Sequence, residues 1–388
     1  MRAPLRAGIL GGGFMAEVHS RAIRAAGHEV VMIASSSPAK SAEAAARLGV
    51  RDIASDARSL IESANVDVVH VCTPNTFHRE QAQLALDAEK PVVCEKPLAT
   101  SVADAKLLVD HAARLALPTA VPFVYRYYPA VREIRSRIAR GDTGELHLLH
   151  GSYLQDWLAL STATNWRVTE AIGGSSRTVA DIGVHWCDVM EFVTGHRITR
   201  LISSLARSHP DRGSTEDAAS ILFETDRGAS GTLVASQISH GRKNQLMFSF
   251  DGDLESYQWN QERPGKFSAS SAGGETIVRA GSTEMASAEA QHLAYLPPGH
   301  PQGYQDAFNA FIADAYSSFS GNTVEGLPTF VDGLRAAVIT EAVLDSAQSR
   351  QWVDVAPIRD YLAGDLKPVA PVASLAPAAS LASAPATR

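Results

Sequence analysis

The sequence has few cysteines, no block of like charge and no long apolar run. Cys72, Cys94 and Cys187 are widely spaced and form no C-x-x-C pair, which predicts buried, reduced thiols and neither disulfides nor a metal site. A nucleic-acid-binding surface needs a basic stripe, and the 35 basic and 42 acidic residues form none. No segment approaches the roughly 18 apolar residues of a membrane span, and the first strand-like segment comes too early for a signal peptide. We therefore expect a soluble, cytoplasmic protein that binds neither nucleic acid nor membrane.

The hydrophobic pattern divides the 388 residues into three parts. Residues 1–123 alternate Val- and Ile-rich strands with amphipathic helices, which predicts an α/β domain with a doubly wound parallel sheet. Residues 124–363 alternate apolar and polar positions in longer segments joined by hairpin turns, which predicts an α+β domain with an open, mostly antiparallel sheet. Residues 364–388 are dominated by Ala, Pro and Ser and predict a disordered tail. The helices expected in the second domain lie near 184–193, 304–317 and 329–346.

A glycine-rich turn follows the first predicted strand. Residues 11–16 read G-G-G-F-M-A and precede a predicted helix, which matches the G-x-G-x-x-G/A pattern of dinucleotide-binding folds. Gly11 makes the tight turn, Gly13 lets the backbone approach a pyrophosphate, and Ala16 allows close packing of the helix. The phosphates would lie on unpaired N–H groups at the start of that helix. The cofactor-binding residues from this motif are Gly11, Gly13, Phe14 and Met15.

The end of the second predicted strand bears on which dinucleotide binds. An NAD site usually places a carboxylate there to hold the ribose hydroxyls, but residues 34–40 read A-S-S-S-P-A-K. Ser35 or Ser36 can bond either a hydroxyl or a phosphate, and Lys40 could pair with a 2′-phosphate. NADP is therefore permitted, and hydroxyl-lined sites also accept NAD, so both cofactors stay open.

Four further motifs occur in order across the two predicted domains. They read T-P-N-T-F-H at 73–78, E-K-P-L-A at 95–99, G-D-T-G-E-L at 141–146, and G-G-S-S-R-T-V-A-D-I-G-V-H-W-C-D at 173–188. Together they resemble the signatures of the glucose-fructose oxidoreductase and inositol dehydrogenase family of NAD(P)-dependent sugar and polyol dehydrogenases. The resemblance spans residues 6–355, which leaves only the tail outside.

The resemblance implies hydride transfer between a secondary hydroxyl and nicotinamide, with Lys96, Asp181 and His185 at the catalytic positions. It also implies a cis peptide bond between Lys96 and Pro97. Histidine suits the removal of a hydroxyl proton near neutral pH, and a carboxylate four residues earlier on a helix would raise its basicity. Lys96 would supply a positive charge where alkoxide character develops. The resemblance further implies that the nicotinamide side of the cofactor is lined by Thr73, Pro74, Asn75, His78, Glu95 and Lys96.

Aromatic and polar residues beyond these motifs are candidates for substrate binding, because sugars place ring faces on aromatics and hydroxyls on polar side chains. Trp157 belongs either to this group or to ordinary core. His300 and Tyr304 either reach the cleft or cap the helix that follows them. The predicted substrate-binding residues are Lys96, Tyr125, Arg126, Tyr153, Gln155, Asp156, Trp166, Arg167, Asp181 and His185.

Two other functions use the same framework. NAD-dependent glycoside hydrolysis by transient oxidation needs the same residues, whereas a non-catalytic dinucleotide-sensing regulator tends to lose the catalytic side chains that are present here. The candidate substrates are inositols, glucose-like sugars, anhydrosugars such as levoglucosan, and glycosides oxidised at position 3. The resemblance also implies a homo-oligomer, a dimer or tetramer, and the strand at 231–239 is a candidate for the contact.

Overall fold

The first sheet has six parallel strands in the order β3-β2-β1-β4-β5-β6, which confirms the predicted doubly wound fold. The computed structural model describes residues 3–362, so the predicted tail at 364–388 lies outside the described residues. The central strands consist almost wholly of buried side chains, as expected for a sheet covered on both faces. The strands are β1 (Arg6–Leu10), β2 (Glu29–Ala34), β3 (Asp52–Ile53), β4 (Val68–Val71), β5 (Val92–Cys94) and β6 (Thr119–Ala120).

Five helices connect these strands, and their starts follow from local sequence. The Ser37 side chain accepts a hydrogen bond from Lys40 N at the start of α2, where Pro38 is the first helical residue, and Ser101 caps α5 in the same way. Helix α1 begins after Gly13 with no side-chain cap. The helices are α1 (Phe14–Ala25), α2 (Pro38–Leu48), α3 (Ala57–Ile61), α4 (His78–Asp87) and α5 (Val102–Leu115).

The second sheet has nine strands in the order β14-β13-β12-β11-β7-β10-β9-β8-β15. All neighbouring strands are antiparallel except β7 and β10, which confirms the predicted mostly antiparallel sheet. The strands are β7 (Leu146–Leu154), β8 (Ile198–Ala206), β9 (Ala218–Thr225), β10 (Ser230–Ser236), β11 (Gln245–Gly252), β12 (Glu255–Asn260), β13 (Lys266–Ser271), β14 (Gly274–Arg279) and β15 (Val353–Asp354).

Helices in the second half of the chain also pack against helices of the first half. Helix α10 packs on α1, and α11 packs on both α5 and β8. A hydrogen bond from Val121 N to Pro328 O joins the two regions. The helices are α6 (Pro129–Ala139), α7 (Glu170–Gly173), α8 (Val184–Thr194), α9 (Ala288–Leu293), α10 (Tyr304–Phe319) and α11 (Phe330–Ser349).

The structure also describes the cysteines and the apolar character of the helices. All three cysteines are free, with Cys94 and Cys187 buried and Cys72 partly buried. Within residues 3–362, no helix combines the length and the apolar character needed to cross a bilayer.

Candidate active site

A cavity of about 1030 Å³ lies where the carboxyl ends of β1, β2, β4 and β5 face the start of α8. Ligands of open parallel sheets bind at this edge, where the strand order reverses. The cavity is lined by every predicted site residue except Lys40, Arg126 and Asp156. It is also lined by Gln81 and Asn244, which no sequence motif indicated.

The glycine turn has the geometry that a dinucleotide needs. Gly11 has φ +106°, and a Cβ there would lie 2.4 Å from the carbonyl oxygen of Cys72, so only glycine fits. A Cβ at Gly13 would meet no atom within 4 Å, so the space in front of this backbone is open. The uncapped N–H groups of α1 adjoin that space, where the helix dipole favours an anion. The residues present therefore fit a pyrophosphate.

The adenosine end of the cavity holds hydroxyls and no carboxylate from β2. Ser35 and Ser36 line it, and Ser35 N donates to Ser41 Oγ at 2.8 Å. Lys40 is exposed on α2 and does not line the cavity. Arg47, which sequence reasoning missed, reaches from the same helix to the carbonyl oxygen of Gly12. This end can therefore accept a ribose hydroxyl, and Arg47 places a positive charge against the glycine turn.

His78 connects the two turns that were predicted to line the nicotinamide. Its Nδ1 lies 2.7 Å from Pro97 O and its Nε2 lies 2.8 Å from Thr73 O, so it joins the T-P-N turn to the E-K-P turn. Asn75 Nδ2 donates to Gly173 O at 2.8 Å, which ties the first of these turns to α7. The peptide bond between Lys96 and Pro97 is cis, as the resemblance implied.

Glu95 ends a buried chain of hydrogen bonds that sequence reasoning missed. Its Oε1 lies 3.1 Å from His19 Nε2, His19 Nδ1 lies 2.7 Å from His70 Nδ1, and His70 Nε2 lies 2.9 Å from Tyr316 Oη. With both imidazoles neutral, every bond is satisfied when each group donates toward the ionised Glu95. Burial opposes ionisation, but the bond from His19 and the charge of Lys96 lower the pKa of Glu95.

Lys96 and Asp181 form an ion pair across the cavity. Lys96 Nζ donates to Asp181 Oδ1 at 2.7 Å and to Asp181 O at 2.8 Å, so two of its three N–H bonds are used. Arg167 Nε lies 3.5 Å from the same carboxylate oxygen, and Gln237 Nε2 donates to Asp181 Oδ2 at 2.7 Å. Burial opposes ionisation, but Lys96 and Arg167 lower the pKa of Asp181 well below its usual range. Asp181 is therefore a fixed anion.

His185 lies in the first turn of α8 against a wall of aromatic rings. Its ring meets Tyr125 edge to face, with centroids 5.1 Å apart, and its Nδ1 is buried without a hydrogen-bond partner among the described residues. Burial and the charge of Lys96 lower the pKa of His185 well below its ordinary value and outweigh the opposing effect of Asp181. Asp181 raises the pKa of His185 as expected, but the two opposing effects are larger, so His185 is neutral near pH 7.

The tyrosines beside His185 belong to a closed ring of hydrogen bonds. The hydroxyls of Tyr125 and Tyr153 lie 2.5 Å apart, Tyr153 donates to Asn244 Oδ1 at 2.7 Å, and Asn244 Nδ2 donates to Tyr125 Oη at 3.3 Å. Gln155 Nε2 also donates to Asn244 Oδ1 at 2.7 Å, and Gln155 Oε1 accepts from Trp157 Nε1 at 2.8 Å. Trp157 therefore belongs to the cavity wall, and the wall presents hydroxyl and amide groups.

Two loops complete the cavity. Arg167 lies over the ring of Trp166, 4.3 Å from its centroid, and both line the cavity. Tyr304 lines it at the start of α10, whereas His300 is exposed, with Nδ1 3.2 Å from Pro297 O.

The structure places two predicted substrate-binding residues away from the cavity. Arg126 is buried, with Nη2 donating to Asp188 and, at 2.6 Å, to Asp332. Asp156 accepts from Lys243 Nζ at 2.7 Å and from Gly241 N at 3.1 Å. Arg126 follows Tyr125 in a tight 3₁₀ turn, so neighbouring side chains diverge and only Tyr125 enters the cavity.

Family models match both halves of the chain. Residues 5–123 match the oxidoreductase family with an NAD-binding Rossmann fold, and residues 131–258 match the GFO/IDH/MocA C-terminal domain.

Individual proteins are similar over almost the whole chain. Levoglucosan dehydrogenase of Pseudarthrobacter phenanthrenivorans is 29% identical over 395 aligned residues, covering 90% of this chain and 98% of the relative. Glucose-6-phosphate 3-dehydrogenase of Bacillus subtilis is 23% identical, covering 90% and 99%. The solved structure of levoglucosan dehydrogenase in complex with NADH and levoglucosan superposes with a TM-score of 0.85 at 30% identity, covering 91% of this chain and all of that one.

Proposed function

This chain belongs to the GFO/IDH/MocA oxidoreductase family, the glucose-fructose oxidoreductase and inositol dehydrogenase family that its motifs resemble, and we propose that it oxidises a secondary hydroxyl of an uncharged cyclic sugar. It is an NAD(P)-dependent sugar or polyol dehydrogenase. One observation carries the catalytic assignment: neutral His185 and the Lys96–Asp181 ion pair line the same cavity as the glycine turn. When bound there, the nicotinamide accepts or returns the hydride.

His185 is the base that we assign to the substrate hydroxyl. Because burial and Lys96 lower its pKa, the imidazole is neutral and ready to accept a proton, but it is a weak base. The third N–H of Lys96 is left for the substrate oxygen, and its positive charge makes that hydroxyl more acidic. Asp181 remains ionised and stabilises the imidazolium that proton transfer creates. The charge of Lys96 thus assists proton transfer from the substrate hydroxyl to the weakly basic His185.

The balance of charge in the cavity favours an uncharged substrate. Lys96 is paired with Asp181, and Arg167 lies 3.5 Å from the same carboxylate while stacking on Trp166. Recognition of a phosphate uses unpaired cations or backbone N–H groups, whereas the wall beside His185 offers tyrosine hydroxyls and the amides of Gln155 and Asn244. Aromatic faces with amides and hydroxyls suit an anhydrosugar such as levoglucosan, an inositol or a glucoside.

The test is nicotinamide absorbance with purified protein, NAD or NADP, and a panel of levoglucosan, myo-inositol, glucose, methyl glucoside and glucose 6-phosphate. We expect stoichiometric reduced cofactor with at least one uncharged sugar and less activity with glucose 6-phosphate. Preference for the phosphate ester would contradict the charge argument. Release of glucose from methyl glucoside without net formation of reduced nicotinamide would instead indicate glycoside hydrolysis by transient oxidation. The panel is also run in reverse with keto-sugars, and inactivity in both directions would refute the proposal.

We also propose a homo-oligomer, built through the open face of the second sheet. Leu148, Leu222 and Val234 are exposed on the adjacent strands β7, β9 and β10, and such apolar patches mark contact surfaces. Light scattering after size exclusion is expected to give a dimer or tetramer, and a monomer would contradict it. The three free thiols support a cytoplasmic location, where thiols stay reduced. Fractionation of the native host tests that location.

A further inference from the structure

Gln237 is a buried amide that touches the catalytic ion pair and that no sequence motif indicated. It directly follows β10, its side chain is fully buried, and its Nε2 donates to Asp181 Oδ2 at 2.7 Å. Its backbone is held on both sides, because Gln237 N donates to Asp217 O at 3.0 Å and Gln237 O accepts from Leu158 N at 3.1 Å. The amide therefore reaches Asp181 from a rigid position at the end of a central strand.

Different side chains contact the two oxygens of the Asp181 carboxylate. Lys96 and Arg167 approach Oδ1, and Gln237 alone donates to Oδ2 among the described residues. Two donors on different oxygens fix the plane of a carboxylate, whereas donors on one oxygen leave it free to rotate. Lys96 spends two N–H bonds on Asp181, so the direction of the third depends on where Asp181 holds the ammonium group.

The backbone around Asp181 has a form that needs such support. Residues Val179–Gly183 form a π-helical segment directly before α8, and π segments are rare and frequent at functional sites. Glu216 anchors its start, accepting from Ser176 Oγ at 2.7 Å and from Val179 N at 3.0 Å. Gln237 anchors its middle at Asp181.

We propose that Gln237 is a positioning residue for hydride transfer: it fixes the Asp181 carboxylate, which in turn aims Lys96 at the reacting oxygen. Gln237 does not line the cavity, so it acts through Asp181 and has no contact of its own with the substrate. The kinetic part of this inference rests on the proposed function, whereas the contact itself is tested without turnover.

The first variant is Gln237→Leu, which keeps the size of the side chain and removes the donor. We expect kcat with levoglucosan and NAD to fall roughly 10-fold to 100-fold, since small displacements of catalytic groups have effects of that order. The dissociation constant of NADH, measured by fluorescence, is expected to stay within about twofold, because no phosphate or ribose contact changes. Gln258→Leu is the matched control, because Gln258 is exposed on β12, and it should leave both values unchanged.

The second variant is Gln237→Glu, which places a second carboxyl group against Asp181 Oδ2. When the introduced carboxyl is protonated its O–H replaces the lost donor, and when it ionises the two carboxylates repel each other. Burial and repulsion raise the pKa of the introduced carboxyl above its unfolded value, so its contribution to stability is lost as pH rises through the folded pKa. Both kcat and the melting temperature of Gln237→Glu should therefore fall, relative to wild type, between about pH 5 and pH 8. The charged or titratable groups around Asp181 and the carboxyl introduced at position 237 are Lys96, Arg167, Arg177, His185, Glu216 and Asp217.

The outcomes separate the two proposals. A wild-type kcat in Gln237→Leu, or in Gln237→Glu at pH 8, overturns the positioning role. If Gln237→Leu does not fold, the pH profile of Gln237→Glu decides, because a purely structural defect would not recover at low pH. If wild type turns over no sugar, the proposed function fails, while the melting temperatures still test the contact. A melting profile of Gln237→Glu that parallels that of Gln258→Glu overturns the inference.

Discussion

Lys96 Nζ lies 2.7 Å from Asp181 Oδ1, and this contact joins the turn after β5 to the segment before α8. Both side chains are largely buried, at 13% and 16% exposure. A buried pair has little net effect on stability while it is intact, but the loss of one partner leaves an unpaired charge. The pair brings two catalytic groups together in the cavity: Lys96 from the turn after β5 and Asp181 from the segment before α8.

Replacing Lys96 should strongly reduce turnover without loss of the cofactor. In Lys96→Met the substrate oxygen loses a charged donor, and we expect kcat to fall by roughly 10²-fold to 10³-fold, the effect of removing one stabilising donor. NADH binding should stay within a few-fold, because the glycine turn is untouched. Lys106→Met on α5, a partly exposed lysine paired with Asp110, is the control and should be fully active. Full activity of Lys96→Met would eliminate the mechanism.

The acid limb of the pH profile should lie below the ordinary histidine range. Burial and Lys96 hold the pKa of His185 below its usual value, so the base stays deprotonated as pH falls through 6.5. We expect kcat/KM for sugar oxidation to decline only at pH values below the ordinary histidine pKa of about 6.5. The residual activity of Lys96→Met should show an acid limb at higher pH, because a charge that lowers the pKa has been removed. A limb that does not move would show that His185 is not the titrating base.

The sequence predicts those parts of the site whose residues act through the local backbone. Gly11 is required by a positive φ and a 2.4 Å approach to Cys72, and both follow from a strand, a tight turn and a helix in succession. Lys96 and Asp181 lie in motifs of a known family, so their assignment to one site is possible without a structure, whereas the contact between them comes from the structure.

Other site residues are positioned by tertiary contacts that leave no local pattern. Gln237 and Asn244 each reach the site from the end of a central strand, and no spacing in the sequence relates them to Asp181 or Tyr125. Arg126 was misplaced for the converse reason, because its neighbour Tyr125 does line the cavity while the 3₁₀ turn directs Arg126 to Asp188. Outside regular strands and helices, the direction of one side chain does not predict the direction of its neighbour in the sequence.

Arg126 should be a stability residue. It pairs with Asp188 and Asp332, and Arg126→Met leaves the buried Asp188 carboxylate and the partly buried Asp332 carboxylate without their cation. We expect a loss of about 3–5 kcal/mol in the free energy of unfolding, measured by urea denaturation. The KM for the sugar should not change in protein that remains folded. Arg58→Met, at an exposed pair with Glu62, should cost less than about 1 kcal/mol. Unchanged stability with a raised KM would restore the assignment of Arg126 to the substrate.

Stability should fall as pH decreases from 6.5 to 5.5. Burial, and after it the neighbouring His19, lower the pKa of His70 well below its ordinary value, so the folded protein keeps the His70 ring neutral while the unfolded chain takes up a proton. Because the unfolded state then binds more protons, the free energy of unfolding decreases as pH falls, by up to about 1.4 kcal/mol per pH unit for each such histidine. His70→Gln should reduce this slope in urea denaturation at pH 5.5, 6.5 and 7.5, and His240→Gln, at an exposed site, should not. Equal slopes in wild type and His70→Gln would contradict the assignment.

Two alanine substitutions in the glycine turn should separate folding from cofactor binding. In Gly13→Ala the new methyl group meets no protein atom within 4 Å and φ is −87°, so the melting temperature without cofactor should change little. The same methyl group enters the space that we assign to the pyrophosphate, so NADH affinity should fall about tenfold or more. In Gly11→Ala the methyl group would lie 2.4 Å from Cys72 O at φ +106°, so the free protein itself should be destabilised. If Gly13→Ala binds NADH as tightly as wild type, the phosphates do not lie against this turn.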